Sequence, residues 1–286
     1  MTQTRTPFFP EINKKMNKKT FTLGAPSMVY GKNLRENIEK LSARLNHIEI
    51  VLFHTPDLHN IPDEDTISML KQMSMEKHLT YSVHLPASLE IASSKQSKQK
   101  ESICLAMDCF HKTASLSPVN YVLHIPFTPP TLTAVPGAYF KTGRGNNWKQ
   151  WTDQGLAGLK ILEQELGWSK SLVVENINFS PAFLSPFIKN GFCRLCLDIG
   201  HLVLGREDIC RTIESFKEEI HEIHLHGVSN DTDHIGLDHL PEPRVQRWIK
   251  ALENIGFSGI LNLEVFTPDD LEKSMAVVKN AMKKPS

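Results

Sequence analysis

The sequence lacks three features that would each assign it to a particular class of protein. It has no excess of either charge, because 32 lysines and arginines balance 32 aspartates and glutamates among its 286 residues. This balance argues against a broad nucleic-acid-binding surface, which needs basic residues to neutralise phosphates. It has no apolar run of the roughly 20 residues that span a membrane. Its first nineteen residues are polar and lack the apolar core of a signal peptide.

Cysteine is also scarce, and the five residues form no regular disulfide framework. An odd count without a framework favours a reducing compartment, so we expect a cytoplasmic location. Cys193 and Cys196 match the C-x-x-C pattern. Because side chains alternate along a strand, residues three apart point to opposite faces. We therefore interpret both cysteines as packing residues and not as a redox pair.

From residue 20 onward, short β-rich runs alternate with amphipathic helical segments. Strands are predicted at 21–25, 48–53, 80–84, 121–124, 172–175, 195–198, 222–226 and 260–264. Helices are predicted at 33–45, 63–77, 98–116, 148–166, 206–217, 241–255 and 268–282. Eight strands with no break between domains predict an α/β protein with one (β/α)₈ TIM barrel over residues 20–286. Residues 1–19 are predicted to be a flexible polar tail.

The stretch 195–202 carries the strongest local signal for chemistry. A buried apolar run leads into Asp198, Gly200 would let the chain turn as the strand ends, and His201 follows three residues after the acid. A carboxylate and an imidazole that meet at the tip of a strand are typical ligands of a divalent metal ion. Each such residue alone has a structural alternative, as a hydrogen-bonded core histidine or a helix cap.

Several other predicted strands also end in metal-ligand types. In a TIM barrel the active site lies at the carboxyl ends of the strands, so these side chains should meet there. The candidate ligands are His84, His124, Glu175, Asp198, His201, either His224 or His226, and Glu264, joined by Asp233 and His234 of a predicted loop at 229–240. We expect one to three divalent ions, with zinc favoured and manganese, iron or cobalt as alternatives. The predicted catalytic residues are Glu175, Asp198 and Glu264.

Four further residues are predicted to contact the substrate. His54 follows the second strand at the barrel mouth, and His226 shares a strand face with His224. Two are basic residues of the long loop 127–147, and loops of this length in a compact domain are usually functional. The four are His54, His226, Lys141 and Arg144. Five histidines on polar or helical stretches are interpreted as structural: His47, His59, His78, His111 and His221.

The number of candidate ligands separates two enzymatic interpretations. A single-metal sugar isomerase or epimerase needs only two carboxylates, one further acid and one histidine, with Glu175 and Glu264 as proton-transfer bases. His84 and His124 exceed that set. They favour phosphoester hydrolysis, in which two or three ions polarise a phosphoryl oxygen and stabilise the leaving oxygen. Both interpretations expect a small-molecule substrate, with no membrane partner, and both leave a homodimer open.

At these positions the sequence resembles the xylose-isomerase-like barrel superfamily, which includes the endonuclease IV type of AP endonuclease. The resemblance rests on His84, His124, Glu175, Asp198-x-x-His201, His224 and Glu264. In the endonuclease branch, the equivalent residues hold a trinuclear zinc cluster. That branch carries D-x-H in the loop after the seventh strand, whereas here Asp233 is followed directly by His234. An AP endonuclease itself is disfavoured by the balanced charge.

More narrowly, the sequence is similar to the cobamide-remodelling phosphodiesterases of that superfamily. The segments that carry the similarity are GAPSMV (24–29), IEIVLF (48–53), VHLPASL (83–89), VLHIP (122–126), VENI (174–177), LDIGHL (197–202), IHLHGV (223–228), DHIGL (233–237) and LEVF (263–266). The resemblance implies a cobamide as substrate, cleaved at the phosphoester of its nucleotide loop to cobinamide phosphate and an α-riboside. The alternatives are a sugar or sugar phosphate isomerase and a barrel that binds a corrinoid or sugar phosphate without chemistry.

Overall fold

The computed structural model describes residues 21–127, 146–167, 170–230 and 232–283, which contain ten strands. They are β1 Thr22–Pro26, β2 His47–Val51, β3 Thr80–His84, β4 Tyr121–His124, β5 Leu172–Glu175, β6 Arg194–Asp198, β7 Ile220–Leu225, β8 Gly227–Ser229, β9 Thr232–Ile235 and β10 Ile260–Leu263. Eight of them close into a parallel barrel in the order β1-β10-β7-β6-β5-β4-β3-β2, and β8 and β9 form an antiparallel hairpin. The predicted α/β TIM barrel is confirmed.

Helices connect the barrel strands on the outside of the sheet. They are α1 Leu34–Leu41, α2 Glu64–Lys77, α3 Gln96–Thr113, α4 Asn146–Leu166, α5 Ser185–Lys189, α6 Ile199–Leu204, α7 Ile209–Ser215, α8 Glu242–Asn254 and α9 Pro268–Lys283. The sequence pattern missed α5 because five residues are too few to show a helical period. Among the described residues, no helix has both the length and the apolar character needed to cross a membrane.

Three strands, β3, β4 and β5, have the predicted bounds. His84 and His124 each end a strand, and each is followed by one apolar residue and a proline. Proline has no backbone N–H to donate to the ladder, which explains why the strands stop there. The sequence therefore predicts where these two histidines lie along the barrel axis.

Two local predictions near the site were wrong. Gly200 does not turn the chain after β6, because Asp198 caps α6 and accepts the backbone N–H of His201 at 2.6 Å. Gly200 lies inside α6, where an added Cβ would collide with the ring of His226. Glycine is required there by that close approach. The predicted loop at 229–240 contains most of the β8–β9 hairpin.

The core has an outer layer between strands and helices and a smaller inner layer inside the barrel. Cys193 packs in the outer layer, while Cys196 packs inside the barrel with Val122 and Val173. The two thiols thus lie on opposite faces, as predicted. Burial raises the pKa of Cys193 to about 12. A buried thiol that stays protonated is a packing residue and not a redox group.

Candidate metal centre

The carboxyl ends of the barrel strands bring the predicted ligands together. Parallel pairing places His124 beside Glu175, and Asp198 beside His224, on neighbouring strands. Glu264 follows β10 directly, and its backbone N–H donates to the carbonyl of Leu225 on β7. The side chains form three adjoining groups that could each hold a metal ion.

The central group consists of Glu175, Asp198, His224 and Glu264, whose ligand atoms all lie within 4.8 Å of one another. All four residues are buried. Nδ1 of His224 lies 3.3 Å from Oε2 of Glu175 and 3.1 Å from Oε2 of Glu264. Three carboxylates and one imidazole are a donor set that divalent ions accept.

Unpaired atoms in the central group support this interpretation. Nδ1 of His224 and Oε2 of Glu264 are buried and have no hydrogen-bond partner among the described residues. Buried polar atoms are nearly always paired, and an exception calls for an explanation such as an ion. Because these two atoms face each other, a single divalent ion between them would satisfy both. The residues present therefore fit a metal.

The second group consists of His84, His124 and Glu175. Nδ1 of His84 donates to the carbonyl oxygen of Leu85 at 2.8 Å, so Nε2 is the nitrogen that faces the site. Nε2 of His84 lies 3.5 Å from Oε2 of Glu175, and Nε2 of His124 lies 3.1 Å from the same oxygen. Glu175 belongs to this group and to the central one, and a carboxylate can bridge two ions.

The third group consists of Asp198, His201, His226 and His234, of which His234 lies on the hairpin, and Asp233 lies beside it. Nε2 of His201 lies 3.8 Å from Oδ2 of Asp233, and Nδ1 of His234 lies 3.0 Å from Oδ1 of the same carboxylate. His234 has a φ of +55°, which non-glycine residues seldom adopt. Strained residues of this kind cluster at functional sites. The hairpin thus delivers two predicted ligands that no barrel strand carries.

His226, a member of the third group, is fully buried beside the hairpin. Its Nδ1 lies 2.9 Å from the backbone N of His234 and 3.1 Å from the carbonyl oxygen of Gly227. Its Nε2 lies 3.3 Å from Oδ2 of Asp198. In this arrangement His226 holds the Asp198 carboxylate in place. The prediction as a substrate contact did not anticipate this role.

Opposite charges set the protonation of the second group. Burial favours the neutral acid of Glu175, but His124 and His224 lower its pKa well below the usual value. Burial also opposes protonation of His84, yet the hydrogen bond to Glu175 and the charges of Glu175 and Glu264 raise the pKa of His84 to about 9. Metal ions require neutral imidazoles, so an ion that binds here must displace protons.

At the hairpin, burial and neighbouring charges again shift the pKa of a histidine in opposite directions. Burial lowers the pKa of His234, but the neighbouring carboxylates of Asp233 and Glu264 raise it to about 11. The hydrogen bond to His234 in turn lowers the pKa of Asp233 to about 2. Acids and imidazoles of the site therefore stabilise each other as ion pairs when no ion is bound.

Two buried acids inside the barrel were not among the predicted site residues, namely Glu49 on β2 and Glu222 on β7. Oε2 of Glu49 lies 3.2 Å from Nε2 of His224. Glu222 accepts hydrogen bonds from Ser82 at 3.1 Å and from Asn120 at 2.8 Å. The sequence did contain a signal for both acids. Side chains alternate along a strand, so a carboxylate points to the same face as the residues two positions before and after it.

The predicted substrate contacts have different locations. His54 is exposed, and its Nδ1 lies 3.0 Å from Nδ1 of His59, outside the three groups. His47, interpreted as structural, is fully buried inside the barrel. Lys141 and Arg144 lie outside the described residues, as does the predicted tail at 1–19.

Comparison of the sequence with known protein families agrees with the barrel fold described above. Residues 41–281 match a family described as xylose isomerase-like TIM barrel. The chain belongs to this family. The predicted membership of the xylose-isomerase-like and AP endonuclease superfamily is thereby confirmed. No curated protein matches the sequence.

Solved structures of the family resemble the chain over nearly its full length. A D-tagatose 3-epimerase-like protein has 18% identity and a TM-score of 0.75, covering 92% of this chain and 97% of its own. The 3-keto-D-glucoside 4-epimerase of E. coli has 10% identity and a TM-score of 0.68, with coverage of 93% and 100%. Endonuclease IV of Thermus thermophilus has 17% identity and a TM-score of 0.64, with coverage of 91% and 99%. At these identities the likeness concerns the fold alone.

Proposed function

We propose that the protein is a metal-dependent phosphodiesterase that hydrolyses the phosphoester in the nucleotide loop of a cobamide. The products would be cobinamide phosphate and an α-riboside of the lower base. The observation that carries the proposal is the size of the donor set, because the central group is flanked by two further groups that share Glu175 and Asp198 with it. One ion would leave those flanking groups without a role. The cobamide itself rests on the sequence similarity in LDIGHL, IHLHGV and LEVF.

Each group has a proposed part in holding up to three ions, with zinc favoured and manganese, iron or cobalt as alternatives. The central four residues would hold one ion, and His84 and His124 would share Glu175 with a second. His201 would hold a third with the hairpin residues Asp233 and His234. When bound, such ions polarise a phosphoryl oxygen and stabilise the charge that develops on the leaving oxygen.

The chain's own residues would orient the reactants and move one proton. Asp198 is fixed from two sides, since it accepts the N–H of His201 at 2.6 Å and faces Nε2 of His226 at 3.3 Å. Oε2 of Glu264 would hold the central ion, and Oε1 of the same carboxylate would accept the proton of the attacking water. Nε2 of His234 lies 3.4 Å from Oε2 and would stabilise the charge of Glu264 before the transfer.

The substrate contacts remain part of the proposal. Lys141 and Arg144 would contact the phosphate, and the loop that carries them would cover the corrin ring. His54 would contact the substrate from the mouth of the barrel, where it is exposed.

Incubation with coenzyme B12 tests the proposal directly. Protein reconstituted separately with zinc, manganese, cobalt or iron would be mixed with the cofactor, and the corrinoid products would be identified by mass spectrometry. We expect cobinamide phosphate and free riboside from the wild type and neither product from Asp198→Ala. Intact substrate with all four metals would reject the cobamide reaction. Full activity of Asp198→Ala would reject the assigned site.

A sugar or sugar phosphate epimerase is the second candidate, favoured by the composition of the central group. Glu175 and Glu264 lie on either side of Nδ1 of His224 and could act as the two proton-transfer bases. This candidate needs one ion per chain, so metal analysis separates it from the first. One ion per chain, together with solvent deuterium entering a ketohexose at carbon 3, would favour the epimerase.

A further inference from the structure

We propose that Glu49 is a positioning residue of the central metal group. Its carboxylate would fix the ring of His224 so that Nδ1, and not Nε2, faces the ion. The inference rests on the metal centre proposed above but is independent of the reaction that the centre catalyses. Glu49 lies within the predicted second strand but was not among the predicted site residues, and its role comes from its contacts alone.

Glu49 reaches His224 across the inside of the barrel. The two residues lie on β2 and β7, which β1 and β10 separate in the sheet. Both side chains are fully buried, and Oε2 of Glu49 lies 3.2 Å from Nε2 of His224. Oε1 of Glu49 accepts the side-chain N–H of Asn262 at 2.8 Å. Because both oxygens are engaged, the carboxylate has a fixed orientation toward the ring.

This contact determines which nitrogen of His224 carries the proton when the ring is neutral, the form in which it can bind a metal ion. An ionised carboxylate only accepts hydrogen bonds, so Nε2 of His224 must donate. The neutral ring then has its lone pair on Nδ1, the buried atom without a partner between Glu175 and Glu264. Histidines that bind metals commonly donate their other N–H to a carboxylate, which orients the ring and strengthens it as a ligand.

Glu222 provides a matched comparison for Glu49. It is equally buried and lies two residues before His224, but its Oε1 is 4.0 Å from Nε2 of that ring. Its oxygens are already engaged by Ser82 and Asn120. Replacing Glu222 by glutamine therefore changes a second buried carboxyl near the ring without removing the hydrogen bond that orients it.

The test compares Glu49→Leu, Glu49→Gln and Glu222→Gln with the wild type in binding of Co²⁺. Affinity would be measured by competition with a chelator, and the ligand field by visible absorption of the bound ion. Thermal unfolding in excess chelator would report folding of each variant without metal. Glu49→Gln should fold, because Oδ1 of Asn262 has no partner in the described residues and can turn to accept the new amide N–H.

We expect Glu49→Leu to weaken binding of one Co²⁺ ion by about 10- to 100-fold, the usual effect of losing a carboxylate behind a histidine ligand. The absorption band of that ion should change, because the ring no longer has one fixed tautomer. Glu49→Gln keeps an acceptor for Nε2 and should restore part of the affinity. Glu222→Gln should bind Co²⁺ as the wild type does.

Three outcomes would overturn the inference. Equal affinity and equal absorption in Glu49→Leu and the wild type would show that the ring needs no support from Glu49. An equal loss in Glu222→Gln would indicate a shared charge effect, or an ion on the Nε2 side of the ring among Glu49, Glu222 and His224. A wild type that binds no Co²⁺ would reject the metal centre together with the inference. If Glu49→Leu does not fold, the comparison of Glu49→Gln with Glu222→Gln decides.

Discussion

The inside of the barrel contains two layers of buried polar residues that differ in their hydrogen bonds. The lower layer, toward the amino ends of the strands, consists of His47, Ser82, Asn120 and Glu222, all buried. The upper layer is the central metal group. Both layers place charged or polar atoms where water has no access, yet only one of them leaves atoms of its side chains unpaired.

In the lower layer each side chain engages the next. Nε2 of His47 lies 3.0 Å from Oγ of Ser82, which donates to Glu222 at 3.1 Å. Asn120 donates to the other oxygen of Glu222 at 2.8 Å, and Nδ1 of His47 lies 2.9 Å from Oγ1 of Thr80. None of these atoms is among the unpaired buried atoms of the described chain.

In the upper layer, Nδ1 of His224 and Oε2 of Glu264 are unpaired. The other two unpaired atoms of the described chain are amide oxygens, Oδ1 of Asn178 and Oδ1 of Asn262. A fully paired buried network specifies a structure, whereas unpaired ligand atoms that face each other indicate a site for something else. The hydrogen bonds of buried residues thus distinguish a structural cluster from a metal centre.

Replacing Glu175 by alanine should have the largest effect of the changes considered, and it tests the upper layer as a metal site. Glu175 belongs to two ligand groups, so its loss should remove more than one ion from the upper layer. We expect activity to fall by at least about a thousandfold, since a catalytic ion contributes several kcal/mol to transition-state stabilisation. Metal content by mass spectrometry and turnover would be measured together. Unchanged metal content would contradict the assignment of Glu175 as a shared ligand.

Replacing Asn120 by alanine should have a smaller effect, confined to the lower layer. Glu222 would lose the donor that lies 2.8 Å from its Oε2, in a place without water. We expect a loss of about 1–3 kcal/mol in the free energy of unfolding, the usual cost of an unpaired buried group. Urea unfolding would measure it, and the number of bound ions should not change. A loss of ions in this variant would mean that the two layers are not independent.

The pH dependence of stability should show the smallest effect, with the same sign in the lower layer and in the second ligand group, which adjoins the upper layer. Burial and the charge of Glu49 raise the pKa of Glu222 from 4.5 to about 8. The pKa of His84 is raised from 6.5 to about 9, since its acidic neighbours outweigh its burial. In both cases the folded chain holds a proton that the unfolded chain releases at lower pH. Stability is therefore full below the unfolded pKa and is lost as pH rises through the folded pKa.

Urea unfolding between pH 5 and pH 9 would separate the two contributions. With a chelator present, stability should decline across this range. With zinc present, the part due to His84 should reverse, because ions bind more tightly as imidazoles lose protons. The part due to Glu222 should persist with zinc and disappear in Glu222→Gln. A decline that zinc leaves unchanged would argue that His84 is not a metal ligand.

Much of the barrel and its upper layer could be predicted because the signals are local. Strand ends at His84, His124 and Glu175 follow from apolar runs, two of them stopped by a proline. Once the fold is a TIM barrel, its geometry brings those ends to one face. The ligands could therefore be predicted from the positions of the strand ends in the barrel, without knowing which side chains are in contact.

The rest depends on contacts between distant strands, which no local pattern contains. Glu49 and His224 are 175 residues apart in sequence and meet only because the barrel closes. The local sequence around Gly200 resembles a turn. Glycine is needed there because the ring of His226 leaves no space for a Cβ atom. The β8–β9 hairpin was not predicted because its short strands contain polar residues of the kind found in loops.

That hairpin has a consequence for the kinetics of metal exchange. Its ladder is separate from the eight-stranded sheet, so opening it would break the contact between the backbone N of His234 and His226 but no ladder hydrogen bond of the barrel. Local opening of this kind requires much less free energy than global unfolding. When it occurs, Asp233 and His234 leave together, while Asp198 and Glu264 stay on the rigid strand ends. Ions in the three groups should therefore have unequal residence times, and the ion beside the hairpin should dissociate first.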